Sequence, residues 1–395
     1  MLAAPDAAKP MPVTAHRREP SLGGAQTAAI VLSTSVAVVM LNVAPLVEPS
    51  LQRDAHFSAG DAGAAFSVEL AAMGLTSIPA AAWIGRSGAV RVARWAYAVF
   101  IAGSLLSAPA LNSFAQYAAA RGVAGIGAGM LMVLGMSLAA RAGDPDRLYA
   151  LITFAQLASG AAMLAGLAAL TDAGPVLNEV LLGSAALGAL GIATAGRFNG
   201  AGAMPRPTAP PPAAARSDRH LVALALTFAL VFNLVVGAVW PFAAAYAPDM
   251  ASARVAQVLA GATVAGLAGA ALALLVGNRV PRRRSLVAGY LGIALGAGVL
   301  HFARHPLGFA AGCCVFSLAW NFSVPYVFAA VASRDRTGTL MGVASLAFAA
   351  GLALGPLLAG AVLNALGLDA LFPALLPGLA IGIVLTLRIT SRSKA

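Results

Sequence analysis

Long apolar segments, separated by short polar or basic stretches, make up almost the whole chain from residue 26 to residue 389. A helix that crosses the hydrocarbon core of a membrane needs about 20 mostly apolar residues. The pattern contains twelve segments of that kind, and we expect each to form one spanning helix, numbered span one to span twelve in chain order. They are 26–47, 62–84, 95–112, 114–140, 147–170, 176–195, 220–246, 255–277, 286–303, 307–331, 338–364 and 368–389.

The polar interruption at 196–218 has the sequence GRFNGAGAMPRPTAPPPAAARSD. Its Pro, Gly and Ala content is typical of a flexible linker. It separates two bundles of six helices, 26–195 and 219–390. Residues 1–25 are expected to form a disordered cytoplasmic tail and residues 391–395 a second, short one. The pattern therefore predicts an all-α integral membrane protein with twelve transmembrane helices in two six-helix bundles.

Composition agrees with a membrane location. The chain is 60% hydrophobic and only 10% charged, whereas a soluble chain carries about 25% charged residues. The net charge of +11 is distributed among the connections between apolar segments, so nucleic acid is not an expected partner. Cys313 and Cys314 are adjacent inside an apolar segment and are poorly placed for a disulfide.

Basic residues determine the expected orientation, because cytoplasmic loops carry an excess of Lys and Arg. With both termini inside, the outer loops hold only Arg53, Arg254 and Arg304, and one span holds Arg121. The other 21 of the 25 basic residues then lie in the inner loops and tails. We therefore expect cytoplasmic N and C termini in a multi-pass protein of a plasma membrane or bacterial inner membrane. The preference for Arg over Lys and the many alanines favour a bacterial source.

Two glycine motifs lie inside spans. In span four, 121–129 is RGVAGIGAG, and in span eleven, 351–360 is GLALGPLLAG. The first fits the Arg-x-x-x-Gly-x-x-x-Gly pattern of the major facilitator superfamily of secondary transporters, and the second resembles that family's glycine-proline motif. The resemblance extends over about residues 25–390. It implies a fold of two helical bundles and, for Arg121, a place in the central cavity and in proton coupling.

The inner loops also resemble the gating loops of this family. Arg86 and Gly88 match its motif after span two, but Gly85 stands where the family carries an Asp, and the copy after span eight has Asn278 instead. The acid that latches the inner gate in the family is thus absent from both copies, and a latch would use Asp144 or Asp335 with nearby arginines. The gating residues that the resemblance implies are Arg86, Gly88, Asp144, Arg147, Asn278, Arg279, Asp335 and Arg336.

Two opposite charges interrupt the apolar spans. Glu69 in span two and Arg121 in span four each lie about seven residues from the predicted outer end of their span, or roughly 10 Å deep. Asn42 in span one is expected at the same level. Because a charge facing lipid costs several kcal/mol, we expect Glu69 and Arg121 to face a shared cavity. The pair either locks the two spans together or carries the coupling proton on Glu69, with Arg121 modulating it.

The second half carries aromatic and amide side chains instead of charges. Proline in its spans permits helix bending, and aromatic faces beside an amide suit a partly apolar solute. Interfacial aromatic belts and helix packing are the alternative explanation. The candidate substrate-binding residues of both halves are Asn42, Glu69, Arg121, Asn233, Trp240, Trp320, Asn321 and Tyr326.

The sequence shows neither a metal-ligand cluster nor a nucleotide-binding loop on a plausible strand–helix unit. No cofactor, metal or enzymatic activity is therefore expected, and a gradient must supply the energy. The sequence favours a monomeric secondary transporter that works by alternating access and exports a small amphipathic compound in exchange for protons. Proton-linked uptake of an organic anion anchored by Arg121 is the alternative. A non-transporting receptor or membrane enzyme on the same scaffold is a third possibility.

Overall fold

The computed structural model describes residues 22–79, 87–140, 142, 144–170, 177–199, 219–247, 250–277, 279–303, 305–332 and 340–391. Four of the predicted gating residues, Arg86, Asn278, Asp335 and Arg336, lie outside these ranges, as does most of the predicted linker. The described residues form helices, turns and bends, with no strand.

The helices follow the twelve predicted spans, which confirms the all-α transmembrane fold. Span one consists of two consecutive helices, and each other span of one. Their bounds are Gly24–Ala37, Val39–Asp54, Ala59–Leu75, Ala89–Ser107, Phe114–Ala139, Pro145–Leu170, Leu177–Thr194, Arg219–Val239, Ser252–Val276, Arg282–Phe302, Pro306–Ala332, Leu340–Leu366 and Leu371–Ser391. Among the described residues, 11 spans are long and apolar enough to cross a membrane. The helix of span two has 17 residues, and its predicted continuation to residue 84 is only partly described.

Spans three and seven are among those whose ends differ from the prediction. Span three begins at Ala89, six residues before the predicted 95, since the helix includes two arginines that the hydropathy pattern assigned to the loop. Span seven ends at Val239 rather than 246. Pro241 directly follows Trp240 and has no backbone N–H to continue the helix, so the chain passes into the short 3-10 helix Ala243–Tyr246.

Span one is interrupted at Val38, whose φ of −107° and ψ of 7° are not helical. The Val38 N–H bonds to the carbonyl of Ser35 at 3.3 Å, so the Thr34 carbonyl loses its usual backbone donor. The second part of span one contains Pro45 and Pro49. Each proline withholds a donor from the carbonyl four residues earlier. Span one therefore carries several carbonyls that depend on other partners.

The two halves of the chain pack together through span two against span eleven and span five against span eight. Where spans two and eleven cross, a Cβ on Gly63 would lie 2.2 Å from the Pro356 carbonyl oxygen. The absence of a side chain at Gly63 is therefore what allows the two backbones to meet. We call the face that carries residues 55–58, 240–247 and 367–370 the predicted outer face. The division into bundles at 26–195 and 219–390 stays a prediction.

Candidate functional site

Glu69 and Arg121 form a direct, buried ion pair between spans two and four. Arg121 Nε donates to Glu69 Oε2 at 3.0 Å, and Arg121 Nη2 donates to Glu69 Oε1. Glu69 is 6% exposed and Arg121 is 1% exposed. Two parallel N–H···O bonds between a guanidinium and a carboxylate are the strongest geometry such a pair can adopt. The sequence left open whether the two groups touch, and the structure brings them into contact.

The surroundings of this pair are apolar and tightly packed. The remaining side chains around it are Leu51, Ala65, Phe66 and Tyr117, and the space they enclose has no room for a water molecule. Arg121 Nη1 is buried and has no hydrogen-bond partner among the described residues. One donor of the guanidinium thus remains unused in this conformation. An approaching anion or polar solute could bind it only if the packing around the pair opened.

The glycines of the span-four motif explain how Arg121 reaches Glu69. Gly125 and Gly129 follow Arg121 at intervals of four, so all three lie on one helix face. A Cβ on Gly125 would lie 2.3 Å from the Glu69 carbonyl oxygen, and one on Gly129 would lie 2.4 Å from that of Met73. Only glycine permits so close an approach of the two backbones. The motif therefore places the guanidinium within reach of the carboxylate.

Asn42 does not lie at the level of this pair, contrary to the expectation. Its Nδ2 donates to the Gln156 carbonyl in span five at 3.0 Å. Span one contributes Leu51 to the surroundings of the pair, and nine helical residues separate Leu51 from Asn42, or about 13 Å. The side chain of Gln156 donates in turn to the Thr34 carbonyl at 3.2 Å. Asn42 and Gln156 thus connect span five to both sides of the interruption in span one.

Trp240 connects the two halves. Its indole Nε1 donates to the Leu41 carbonyl of span one at 3.0 Å, and the side chain is only 4% exposed. The Trp240 and Trp320 rings lie 6.1 Å apart between centroids. Of the aromatic residues predicted to bind solute, the structure brings these two together at the contact between the halves.

The other three candidates of the second half, Asn233, Asn321 and Tyr326, have side-chain hydrogen bonds that do not involve the two tryptophans. The side-chain amides of Asn233 and Asn321 each donate to the carbonyl four residues earlier in the same helix, at 3.1 Å and 2.9 Å. Tyr326 donates its hydroxyl to the Ala273 carbonyl of span eight at 3.2 Å. These bonds satisfy backbone carbonyls within helices and between neighbouring helices. A role in solute binding stays a prediction for all three.

Glu48 is a buried acid that the sequence interpretation missed. It is 0% exposed, Gln52 donates its side-chain amide to Oε1, and Oε2 has no hydrogen-bond partner among the described residues. The predicted span one ended at residue 47, which left Glu48 in a loop. The helix extends to Asp54, and the i, i+4 spacing of Glu48 and Gln52 was the available signal.

The described gating residues make local contacts. Gly88 immediately precedes the helix of span three, and Asp144 Oδ1 accepts the Arg147 backbone N–H at 3.0 Å near the start of span five. Arg279 Nη1 donates to the Leu275 carbonyl in the last turn of span eight. A charge-pair latch of the inner gate stays a prediction.

A family model described as Major Facilitator Superfamily matches residues 28–334, which is more than half of the chain. The chain belongs to this superfamily. No curated protein sequence matches it significantly.

Solved structures of superfamily transporters have the same fold. One is a point mutant of the nucleoside transporter NupG, with a TM-score of 0.73 and 11% identity over 94% of this chain and 100% of that one. Another is the xylose transporter XylE from E. coli, in a partially occluded inward-open conformation, with a TM-score of 0.70 and 14% identity over 92% of this chain and 96% of that one. At such identities the likeness concerns the fold. As a superfamily member, this chain is a multi-pass membrane transporter.

Proposed function

We propose that this superfamily member is a proton-coupled secondary transporter that exports a small amphipathic organic solute across a plasma or bacterial inner membrane. Its termini lie in the cytoplasm and it functions as a monomer. The observation that carries the proposal is the buried, bidentate pair of Glu69 and Arg121. In a site without room for water, Arg121 is the counter-charge of the Glu69 carboxylate, so a proton that neutralises this carboxylate would remove the charge balance of the pair.

The pair couples proton binding to conformation because its two charges depend on each other. A proton on Glu69 removes the negative charge and leaves the Arg121 guanidinium without its counter-charge. Breaking a buried pair by removing one partner costs about 3–5 kcal/mol. The packing around the pair must then open to admit water or a polar solute group. Release of the proton re-forms the ion pair and restores the closed arrangement, so proton binding and alternating access proceed together.

The solute is proposed to be amphipathic because Trp240, which bonds to span one across the halves, lies beside the Trp320 ring. The alternative is proton-linked uptake of an organic anion, favoured by the unpaired Nη1 of Arg121. The structural neighbours are described as nucleoside and xylose transporters. Nucleosides and pentoses therefore belong among the compounds to be tested.

The first experiment is a thermal-shift screen of such compounds on the purified protein, since a ligand of the folded state raises its apparent stability. A compound that binds is then radiolabelled and measured in proteoliposomes with an imposed pH gradient. Exchange of solute for protons drives accumulation when the vesicle interior is acidic, and co-transport drives it when the interior is alkaline. The sign of the effective gradient separates export by exchange from uptake of an anion.

The decisive variant is Glu69→Gln, which keeps a side chain of similar shape but cannot titrate. We expect folded protein that still exchanges labelled for unlabelled solute and no longer responds to the pH gradient. The matched control is Glu179→Gln, which removes an exposed carboxylate at the start of span six and should leave coupling unchanged. Undiminished pH-driven transport by Glu69→Gln would exclude this residue as the proton carrier.

A further inference from the structure

One carbonyl in the middle of span one cannot be satisfied by its own helix. In an α-helix the carbonyl of each residue accepts the N–H four residues later. The residue four positions after Leu41 is Pro45, which has no N–H. Inside a membrane protein an unsatisfied carbonyl costs several kcal/mol. The Leu41 carbonyl therefore lacks its usual donor within span one.

A donor to this carbonyl comes from the opposite half of the chain. Trp240 Nε1 lies 3.0 Å from the Leu41 carbonyl oxygen. The position of Trp240 is well defined, because its backbone N–H bonds to the Val236 carbonyl at 3.1 Å and its ring lies against Trp320. The indole N–H can only donate a hydrogen bond. Because its acceptor belongs to the opposite half, the bond breaks when the two halves separate at this point.

A cleft between the halves lies on the outer side of this bond. It has a volume of about 260 Å³ and opens toward the predicted outer face. Span one contributes Leu46, Pro49, Ser50 and Arg53, and the chain after Trp240 contributes Ala244, Ala245, Ala247, Met250, Ser252 and Val255. All of the span-one residues follow Leu41 in the direction of that face. Neither Leu41 nor Trp240 lines the cleft, so their bond lies farther from the predicted outer face along span one than the cleft does.

We propose that the Trp240 indole and the Leu41 carbonyl form the latch that keeps the predicted outer face closed. The proposal rests on alternating access as the proposed mode of function. When the halves separate, water enters through the cleft and bonds to the Leu41 carbonyl in place of the indole. Pro45 is part of the device, because a residue with an N–H would satisfy this carbonyl within the helix. The carbonyl therefore changes partner between the closed and open states, and opening leaves it satisfied.

The latch can be tested without knowing the solute, by measuring how fast a buried cysteine in the cleft is alkylated. Ser50 lines the cleft and is 2% exposed, so Ser50→Cys in a C313A/C314A background reports opening of this face. The purified full-length protein in detergent is treated with a maleimide. We expect Trp240→Phe to raise the labelling rate about threefold to tenfold, the effect of losing one net hydrogen bond on an open–closed equilibrium.

Pro45→Ala distinguishes the hydrogen bond from ring packing. The N–H that this substitution introduces at position 45 gives the Leu41 carbonyl a donor within its own helix, so losing the indole on opening costs less. This variant should therefore also raise the labelling rate, and Trp240→Phe should then add less than it does with Pro45 present. The same increment from Trp240→Phe in both backgrounds would overturn the latch. If Trp240→Phe does not give monodisperse protein, Pro45→Ala is judged alone, and an unchanged rate in it overturns the proposal.

Two controls isolate the outer face. Trp320→Phe keeps an aromatic ring beside Trp240 and should raise the rate less than Trp240→Phe does, whereas an equal increase would assign the effect to aromatic packing and overturn the latch. Ala139→Cys, buried at the opposite end of span four, should not label faster in Trp240→Phe, and a parallel increase would indicate general loosening and also count against the latch. Because detergent exposes both faces, the result does not depend on orientation, coupling ion or transport.

Discussion

At the scale of single residues, the energetics of this protein centre on charges that lipid cannot solvate. Among the described residues, Glu69 pairs with Arg121, and Arg53 pairs with Asp54. The first pair is buried and the second is partly exposed, with the Arg53 side chain 54% accessible. An exposed pair contributes about 0–1 kcal/mol, whereas breaking a buried pair costs several kcal/mol. Substitutions at the two pairs should therefore differ sharply in their effect.

Arg121→Met leaves the Glu69 carboxylate buried without a counter-charge, and we expect about 3–5 kcal/mol of destabilisation. The double variant Glu69→Leu with Arg121→Met removes both charges and should recover most of that loss. The measurement is the thermal unfolding midpoint in detergent, with Arg53→Met as the control that changes it little. A double variant no more stable than Arg121→Met would mean that lost packing, and not the unpaired charge, causes the effect.

Tyr246, in the short 3-10 helix that follows span seven, predicts that the stability of the protein depends on pH. Burial, and secondarily the Asp369 carboxylate, raises the pKa of its phenol from 10.0 to about 12. The unfolded chain loses this proton at lower pH than the folded protein, so the stabilisation is present below pH 10 and is lost as the pH rises toward 12. We expect the unfolding midpoint to fall less steeply in Tyr246→Phe than in the natural protein over that interval. Identical pH profiles would contradict this.

At the scale of helices, close backbone contact determines which side chains meet. Gly125→Ala would place a Cβ 2.3 Å from the Glu69 carbonyl oxygen, so spans two and four must move apart. Overpacking of this kind costs about 1–3 kcal/mol. It should also lower the stability gained from the ion pair, so that Gly125→Ala and Arg121→Met are less than additive.

The matched control for Gly125→Ala is Gly166→Ala in span five, where an added Cβ would meet nothing within 4 Å. Alanine is favoured over glycine inside a helix by up to about 1 kcal/mol, so Gly166→Ala should be neutral or slightly stabilising. Both variants are compared by their unfolding midpoints. Equal midpoints would show that spans two and four adapt to the extra methyl group without strain.

At the scale of the whole molecule, the two halves meet along spans two and eleven. A Cβ on Gly60 would lie 3.8 Å from that of Asn364, and disulfides have Cβ atoms about 3.8 Å apart. We expect Gly60→Cys with Asn364→Cys to form a disulfide in a C313A/C314A background. The bond would hold the predicted outer face closed.

Formation of the disulfide between Gly60→Cys and Asn364→Cys is checked by cleaving the chain at a protease site inserted in the stretch 200–218. On a non-reducing gel the halves should remain joined in the double variant and separate after reduction, while each single cysteine variant gives separate halves. The cross-link is not combined with Ser50→Cys, because a third cysteine could form a disulfide with either of the other two. Its functional effect is measured as transport, which should stop when the disulfide forms and recover when reductant is added. Efficient cross-linking with undiminished transport would show that the outer face does not have to open.

The residue types of the site and their approximate depth in the membrane could be predicted from the sequence. Glu69 and Arg121 interrupt apolar segments at matching distances from the outer ends of their spans, and the cost of a charge in lipid predicts that they face a shared cavity. The structure brings them into direct contact, in a site with no room for a water molecule. The same depth count failed for Asn42, because it assumed a continuous helix that ends at residue 47. Span one is interrupted at Val38 and extends to Asp54, which moves Leu51, not Asn42, next to the pair.

The sequence by itself determined the number, order and apolar character of the twelve spans, because those follow from local hydropathy and from the requirement that backbone groups in a membrane bond within their own helix. It also contains Pro45, which withholds the usual helix donor from the Leu41 carbonyl. Only the tertiary structure decided that Trp240 donates to this carbonyl and that the Asn42 amide donates to the Gln156 carbonyl. Such pairings join residues far apart in the chain, and they depend on helix rotations and crossing distances that hydropathy does not encode.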